Sequence, residues 1–353
     1  MNRKDDGGSH LDELMGLVIG AVGVLCVWLG GAVGTVGVGG AGQGFGGWVS
    51  DTDGELRWFD GGGWFGTGSE VYDAYREEPI HGDEFPGKRV VLLVHGLDEP
   101  GGIWDEVAPE LDGWGYQVVR FDYPNDQAVV LSAEGLVKAM GRLSGIGVEH
   151  VDIVAHSMGG LVSREALTNP GMGASGGKIS GVQIGRLILV GTPNEGSAWA
   201  RMRGVAEVRE HVQRWMASDD MDLSILGNLG EDGDGQAGLD LLPGSDFLVA
   251  LNSRPMPESV EVTCIVGRVV DPAQTRGMGA VDTAAEALGD GVVSVESASL
   301  DGCADVVLFV ANHRSLIRTI EAEEGWRAMM GFERAARPEG IKIILDRLDL
   351  EVK

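Results

Sequence analysis

Short apolar runs, each closed by glycine, proline or a polar turn, recur along the chain from about residue 88 to residue 313. The first five are VVLLV (90–94), YQVVRFDYP (116–124), VDIVA (151–155), GRLILVG (185–191) and VEVTCIVG (260–267). The sixth is ADVVLFVA (304–311). They are rich in β-branched residues and have strand length. Their consecutive apolar positions predict strands covered on both faces, as in a parallel sheet. Stretches with helical spacing separate them, at about Gly102–Leu111, at Ala128–Ser144 and in LVSREAL after Gly160. Strands alternating with helices predict an α/β fold, a mostly parallel central sheet with helices on both faces. Upstream, WVSDTDGELRWF (48–59) alternates around Asp53-Gly54 and predicts an antiparallel hairpin at one sheet edge.

One connection breaks the rhythm. Between the fourth and fifth strands lie residues 196–259, against the usual length of about 2–6 residues. Within it, Trp199, Met202, Val205, Val208, Val212 and Trp215 recur at helical spacing and predict an amphipathic helix over 198–216. GEDGDGQAG (230–238) lacks the spacing and closing Glu of a calcium loop and reads as solvated loop.

Composition narrows the function. Of 353 residues, 54 are Asp or Glu and 27 Lys or Arg, giving a net charge of −27. So acidic a surface excludes nucleic acid as a partner, because phosphate binding needs clustered cations. Three cysteines, Cys26, Cys264 and Cys303, form no C-x-x-C pair, so no zinc site is indicated. Cys264 and Cys303 read as buried free thiols rather than as a disulfide.

Residues 14–38 are uncharged and long enough to cross a bilayer, which takes about 20 apolar residues. Arg3 and Lys4 precede this run, and the next positive charge is Arg57. The positive-inside rule then makes 1–13 a cytoplasmic tail and 14–38 a membrane anchor. Residues 39–47 become a Gly-rich linker, and 48–353 a domain outside the cytoplasm. A cleaved signal peptide releasing a secreted domain is the alternative, but the run is long for that role.

AHSMGG carries the chemistry. Ser157 lies in a small-x-Ser-x-Gly frame, with Ala155 where the first glycine usually stands and Gly159 at the other end. A strand before it and a helix after it are the setting of a nucleophile elbow, a turn so sharp that residues two away must be small. His156 falls inside the elbow. A tetrahedral oxyanion would need two N–H groups, expected from Met158 and from Leu97 in the His95-Gly96 loop after the first strand. Gly96 lets that loop approach closely, and His95 shapes it. The base follows by elimination among the seven histidines. His10 and His81 precede the sheet, His95 and His156 belong to the loop and elbow, His150 starts its strand, and His211 lies in the long connection. His313 follows the last strand, at the edge where open α/β sheets bind ligands. Two carboxylates between Ser157 and His313 could orient that histidine: Asp271 in RVVDP and Asp290 in GDGVVSVESA, the latter in a turn before an extended run.

On VVLLVHGL, VDIVAHSMGGLVSR, LILVGTPNEGS, DLLPGSDFLVALNS with GDGVVSVESA, and VANHRSLI, the chain resembles the α/β-hydrolases. Within that superfamily it is most similar to the bacterial lipase and GPI inositol-deacylase-like branch. The resemblance spans about residues 90–320. It implies an α/β-hydrolase fold, Asp290 as the acid in preference to Asp271, His313 as the base, and a helical lid within 196–259. It implies a serine carboxylic-ester hydrolase acting on an ester or lipid, with no organic cofactor. Some related lipases bind structural calcium, whose ligands do not map onto this chain. An acyltransferase or amidase would use the same residues, and a non-catalytic membrane-tethered binding module is the third alternative. Acyl chain length and oligomeric state are left open.

Overall fold

Each of the six apolar runs forms a strand in the computed structural model. It describes residues 55–59, 64–65, 89–97, 102–124, 126–197, 236–319 and 337–349. The expected tail, membrane segment, linker, Asp53-Gly54 turn and helix 198–216 lie outside those residues. Among the described residues no helix is long and apolar enough to cross a membrane.

The strands are β1 (Glu55–Phe59), β2 (Trp64–Phe65), β3 (Val90–Val94), β4 (Gln117–Asp122) and β5 (His150–His156). They continue with β6 (Lys178–Ile179), β7 (Val182–Val190), β8 (Glu261–Arg268) and β9 (Asp305–Val310). They form one sheet in the order β2-β1-β4-β3-β5-β7-β8-β9, with β6 paired to β7. From β4 to β9 the ladder is parallel, while β1 runs antiparallel to β4. The hairpin partner of β1 is the downstream β2. Antiparallel strands at that edge were expected, and β1 pairs antiparallel on both of its sides.

Parallel register is what assembles a site. Val94 pairs with Ala155, His156 with Val190, and Val190 with Ile265. The loops that leave β3, β5 and β7 therefore start side by side on one rim.

Two apolar layers cover the sheet, fed by alternate residues of each strand. Leu92, Ile153, Leu187 and Cys264 pack with the helices Val129–Gly145 and Met158–Thr168. Leu93, Val154, Ile188 and Ile265 pack on the other side with Trp104, Leu111 and the helix Glu339–Asp349. Burial on both faces explains why β3, β5, β7 and β8 read as unbroken apolar runs, while β9, expected to be covered on both faces, leaves one face exposed because it ends the described sheet. The opposite rim is held by charge. Arg89 Nη2 lies 2.9 Å from Asp152, and Arg186 bridges Asp152 at 3.6 Å and Glu261 at 3.4 Å.

The described end of the long connection belongs to the packed body. Its helices Gln236–Asp240 and Asp246–Asn252 bury Ala237, Leu248 and Leu251 in the core. Asp240 Oδ2 accepts the backbone N–H of Val129 at 2.9 Å. This supplies, from 111 residues away, the cap that Ala128 cannot give its own helix. Two more departures from expectation stand out. Residues 280–288 and 339–349 form helices that the pattern did not predict. Val295–Ala298, in the expected extended run, is a short helix because Ser294 Oγ caps it by accepting from Ser297 N. Cys264 and Cys303 are free thiols.

Candidate active site

The turn between β5 and the helix Met158–Thr168 is strained at one residue. Ser157 has φ 54° and ψ −128°, a region L-residues seldom occupy, at a cost of about 1–3 kcal/mol. The surroundings fix it there. Its N–H donates to Val190 O at 2.8 Å, and its carbonyl accepts from Gly160 N at 3.0 Å. Neighbouring backbone leaves no space for larger residues. A Cβ on Gly159 would meet Val94 O at 2.3 Å and His95 O at 2.5 Å. A Cβ on Gly96 would meet the Ser157 Cβ at 2.6 Å, and the Ser157 Oγ lies only 3.2 Å from that point. Ala155 is fully buried. The elbow and the loop after β3 are thus in backbone contact, and the small residues of both motifs make that possible.

The loop after β3 is clamped from β4. His95 is fully buried, and its ring stacks on Tyr123 with centroids 4.4 Å apart. The Tyr123 hydroxyl donates to His95 O at 2.6 Å, and Tyr123 N donates to His95 Nε2 at 3.3 Å. His95 Nδ1 lies 2.9 Å from Gly96 O, a donor position, so the ring is the neutral Nδ1–H tautomer. Burial raises the Tyr123 phenol far above its ordinary value, so it stays a hydroxyl donor. Leu97 follows on this loop, half-buried. Met158 opens the elbow helix, and by helix geometry its N–H has no carbonyl partner within that helix. Tyr123 was not among the residues singled out from the sequence. The available signal was an aromatic at the end of the strand beside the His95-Gly96 loop.

The structure brings His313 and Asp290 together. His313 Nδ1 lies 2.7 Å from Asp290 Oδ2, and the Asp290 side chain is only 1% exposed. Asp290 Oδ1 accepts from Val292 N at 2.9 Å and Val293 N at 2.8 Å. Three donors thus hold the carboxylate, and an ionised carboxylate makes His313 Nδ1 the protonated nitrogen, leaving Nε2 with a lone pair. His313 N also donates to Asp290 O at 3.0 Å. His156, one residue before Ser157, packs against His313 with ring centroids 4.7 Å apart. Asp271, the other sequence candidate, is occupied elsewhere: it caps the helix Pro272–Thr275, accepting from Ala273 N at 2.8 Å.

A second set of residues ties these pieces together. Asn194, in the loop after β7, receives Arg164 Nη1 of the elbow helix at 2.9 Å on its Oδ1. Its own N–H donates to Ser297 O at 2.9 Å. Arg164 Nη2 donates to Asn252 Oδ1 at 2.9 Å. Burial pushes the Arg164 guanidinium down to about 10, still charged at neutral pH. Ser197 Oγ donates to Val292 O at 2.6 Å, next to the turn that presents Asp290. GTPNEGS is therefore the splice between the helix that follows Ser157 and the turn that presents Asp290. Its members could be quoted from the sequence, but their partners lie between 30 and 104 residues away and could not. Among the described residues no group of three or more His, Cys, Asp or Glu side chains is arranged to hold a metal ion.

A parallel sheet with an elbow after β5 and paired Asp and His residues on the loops after β8 and β9 defines an α/β-hydrolase. The profile described as "Alpha/beta hydrolase family" matches residues 91–318, and the chain belongs to that family. None of the curated proteins matches it. Among solved structures it is similar to the Bacillus licheniformis lipase BlEst2 in mature form. Identity is 20% and the TM-score 0.47, covering 75% of this chain and 98% of that one. Against the propeptide form of the same lipase it covers 53% of that chain. It is also similar to phospholipase PlaB from Legionella pneumophila, with 15% identity and a TM-score of 0.48, covering 75% of this chain and 61% of that chain.

Proposed function

We propose that the protein is a serine carboxylic-ester hydrolase, with Ser157 as nucleophile, His313 as general base and Asp290 as the orienting acid. The observation that carries the reading is the 2.7 Å contact between His313 Nδ1 and the buried Asp290 carboxylate, with the His313 ring packed on His156, the residue before the strained Ser157. In this mechanism Asp290 holds His313 with its proton on Nδ1, and Nε2 takes the Ser157 proton as Oγ attacks the ester carbonyl. The oxyanion receives the N–H groups of Leu97 and Met158, pre-set by the close approach of Gly96 and Gly159. His313 then protonates the leaving alcohol, and water, deprotonated by the same ring, releases the acid. No metal or organic cofactor takes part in these steps. The uncharged run 14–38 supports anchoring in a membrane, with the hydrolase domain outside the cytoplasm.

Hydrolysis of p-nitrophenyl esters from acetyl to palmitoyl by the full chain tests the proposal, with Ser157→Ala as control. Turnover abolished in Ser157→Ala supports it, and the preferred acyl length separates esterase from lipase. Equal turnover by both proteins overturns it. Matched amides and added alcohols identify amidase or acyltransferase activity by their products.

A further inference from the structure

We propose that His156 is a positioning residue that holds the backbone of the general base, by donating its Nε2–H to the carbonyl of His313. This rests on the reading of His313 as base. The two atoms are 3.1 Å apart, and His156 is fully buried. A carbonyl can only accept, so the neutral ring must carry its proton on Nε2. That is the opposite tautomer from His313, whose Nδ1 faces Asp290.

The fold gives His313 reason to need such a hold. Its turn follows β9, which among the described residues pairs with β8 alone, at the end of the sheet. One face of β9 is exposed at Val306, Leu308 and Val310. Within the turn, Asn312 Oδ1 accepts from Arg314 N and Ser315 N, which closes the turn on itself and does not fix it to the sheet. Ala311 N ties the start of the turn to Arg268 O at 3.2 Å, and His313 itself is held from two sides. Asp290 O accepts His313 N, and His156 reaches the carbonyl of the same residue. Asp290 belongs to the acid's turn and His156 to the nucleophile's strand. The peptide groups on both sides of the base's Cα are thus referenced to the two residues it must work between. A displacement of about 1 Å in a reacting group lowers turnover by about a hundredfold, so this tie acts on kcat.

The test compares His156→Leu, which fills the space without a donor, with His156→Gln, whose side-chain amide offers N–H at about the same reach. We expect kcat on a p-nitrophenyl ester to fall about 10- to 100-fold in His156→Leu with KM within about twofold of wild type. We expect His156→Gln to recover most of the loss. Wild-type kcat in a folded His156→Leu protein overturns the proposal, as does a Gln variant no better than Leu when both unfold at the wild-type temperature. The wild type supplies a readout that depends on no variant. In spectra of the chain with 15N-labelled histidine, His156 must appear as the Nε2–H tautomer, and a ring protonated on Nδ1 alone refutes the contact. Failure of the parent reading looks different: wild type and Ser157→Ala would then hydrolyse the ester equally.

Discussion

Replacing Asp290 by Asn tests the acid through a conflict the amide cannot resolve. The carboxylate accepts three hydrogen bonds: Val292 N and Val293 N on Oδ1 and His313 Nδ1 on Oδ2. Asn offers one accepting oxygen and one donating nitrogen. With the oxygen toward Val292 and Val293, the NH2 faces His313 and forces Nδ1 to accept. The proton then moves to Nε2, and the base can no longer take a proton from Ser157. With the amide reversed, two buried N–H groups face a donor, at about 1–3 kcal/mol each. The first orientation wins, so the variant folds with the wrong tautomer at His313. The expected loss is about 10^4-fold in kcat, equivalent to about 5 kcal/mol of transition-state stabilisation. The melting temperature changes little by comparison. Initial rates on a p-nitrophenyl ester, with thermal melts of the same samples, measure both. Asp271→Asn is the internal control and should retain wild-type kcat, because its carboxylate only caps a four-residue helix. An Asp290→Asn enzyme within tenfold of wild type, or a larger loss in Asp271→Asn, refutes the reasoning.

Three further outcomes follow from contacts outside the Asp–His pair. Tyr123→Phe removes the hydroxyl that donates to His95 O, and we expect kcat about tenfold lower with KM unchanged, measured on the same ester. Asp240→Ala uncaps the helix Val129–Gly145 and should cost about 1 kcal/mol in urea unfolding with a wild-type m-value. Arg347 bonds both oxygens of Asp305, at 2.6 and 3.0 Å, and this contact, more than the hydrogen bond from Thr263, lowers the carboxyl from its ordinary 3.8. A carboxyl depressed on folding contributes stability that is fully present above its unfolded value. That contribution is lost as pH falls through the lower folded value. Arg347→Ala should therefore melt below wild type at neutral pH, and the gap should close once the pH drops well under 3.8.

What the sequence disclosed depended on how local the determining physics was. The central strands were legible because both-face burial writes itself into VVLLV and LILV as unbroken apolar runs, whereas the equally apolar β9 leaves Val306, Leu308 and Val310 exposed on one face. The elbow was legible because the carbonyls of Val94 and His95 stand where a Cβ on Gly159 would go, which admits only small residues at fixed offsets. His313, the proposed base, was chosen by elimination along the chain, and the structure places it on Asp290. Choosing Asp290 over Asp271 needed the family resemblance, because both stand beyond the fifth strand. The structure separates them through a cap at Asp271 that spans two residues. The strand-rich composition of VVSVESA predicted extension, yet one serine cap turned Val295–Ala298 into a helix. Tyr123 on His95, Asp240 on Val129 and Arg164 on Asn194 join residues 28 to 111 apart. No local pattern encodes such pairs, because each partner sits in a segment whose own composition is satisfied without it.

The central claim is a nucleophile at Ser157 activated by His313. Labelling the full chain with a fluorophosphonate and mapping the adduct by peptide mass spectrometry tests it most directly. The account predicts a single adduct on Ser157, none in Ser157→Ala, and much slower labelling in His313→Ala. An unlabelled Ser157 in folded protein, or labelling that is as fast without His313, would contradict it.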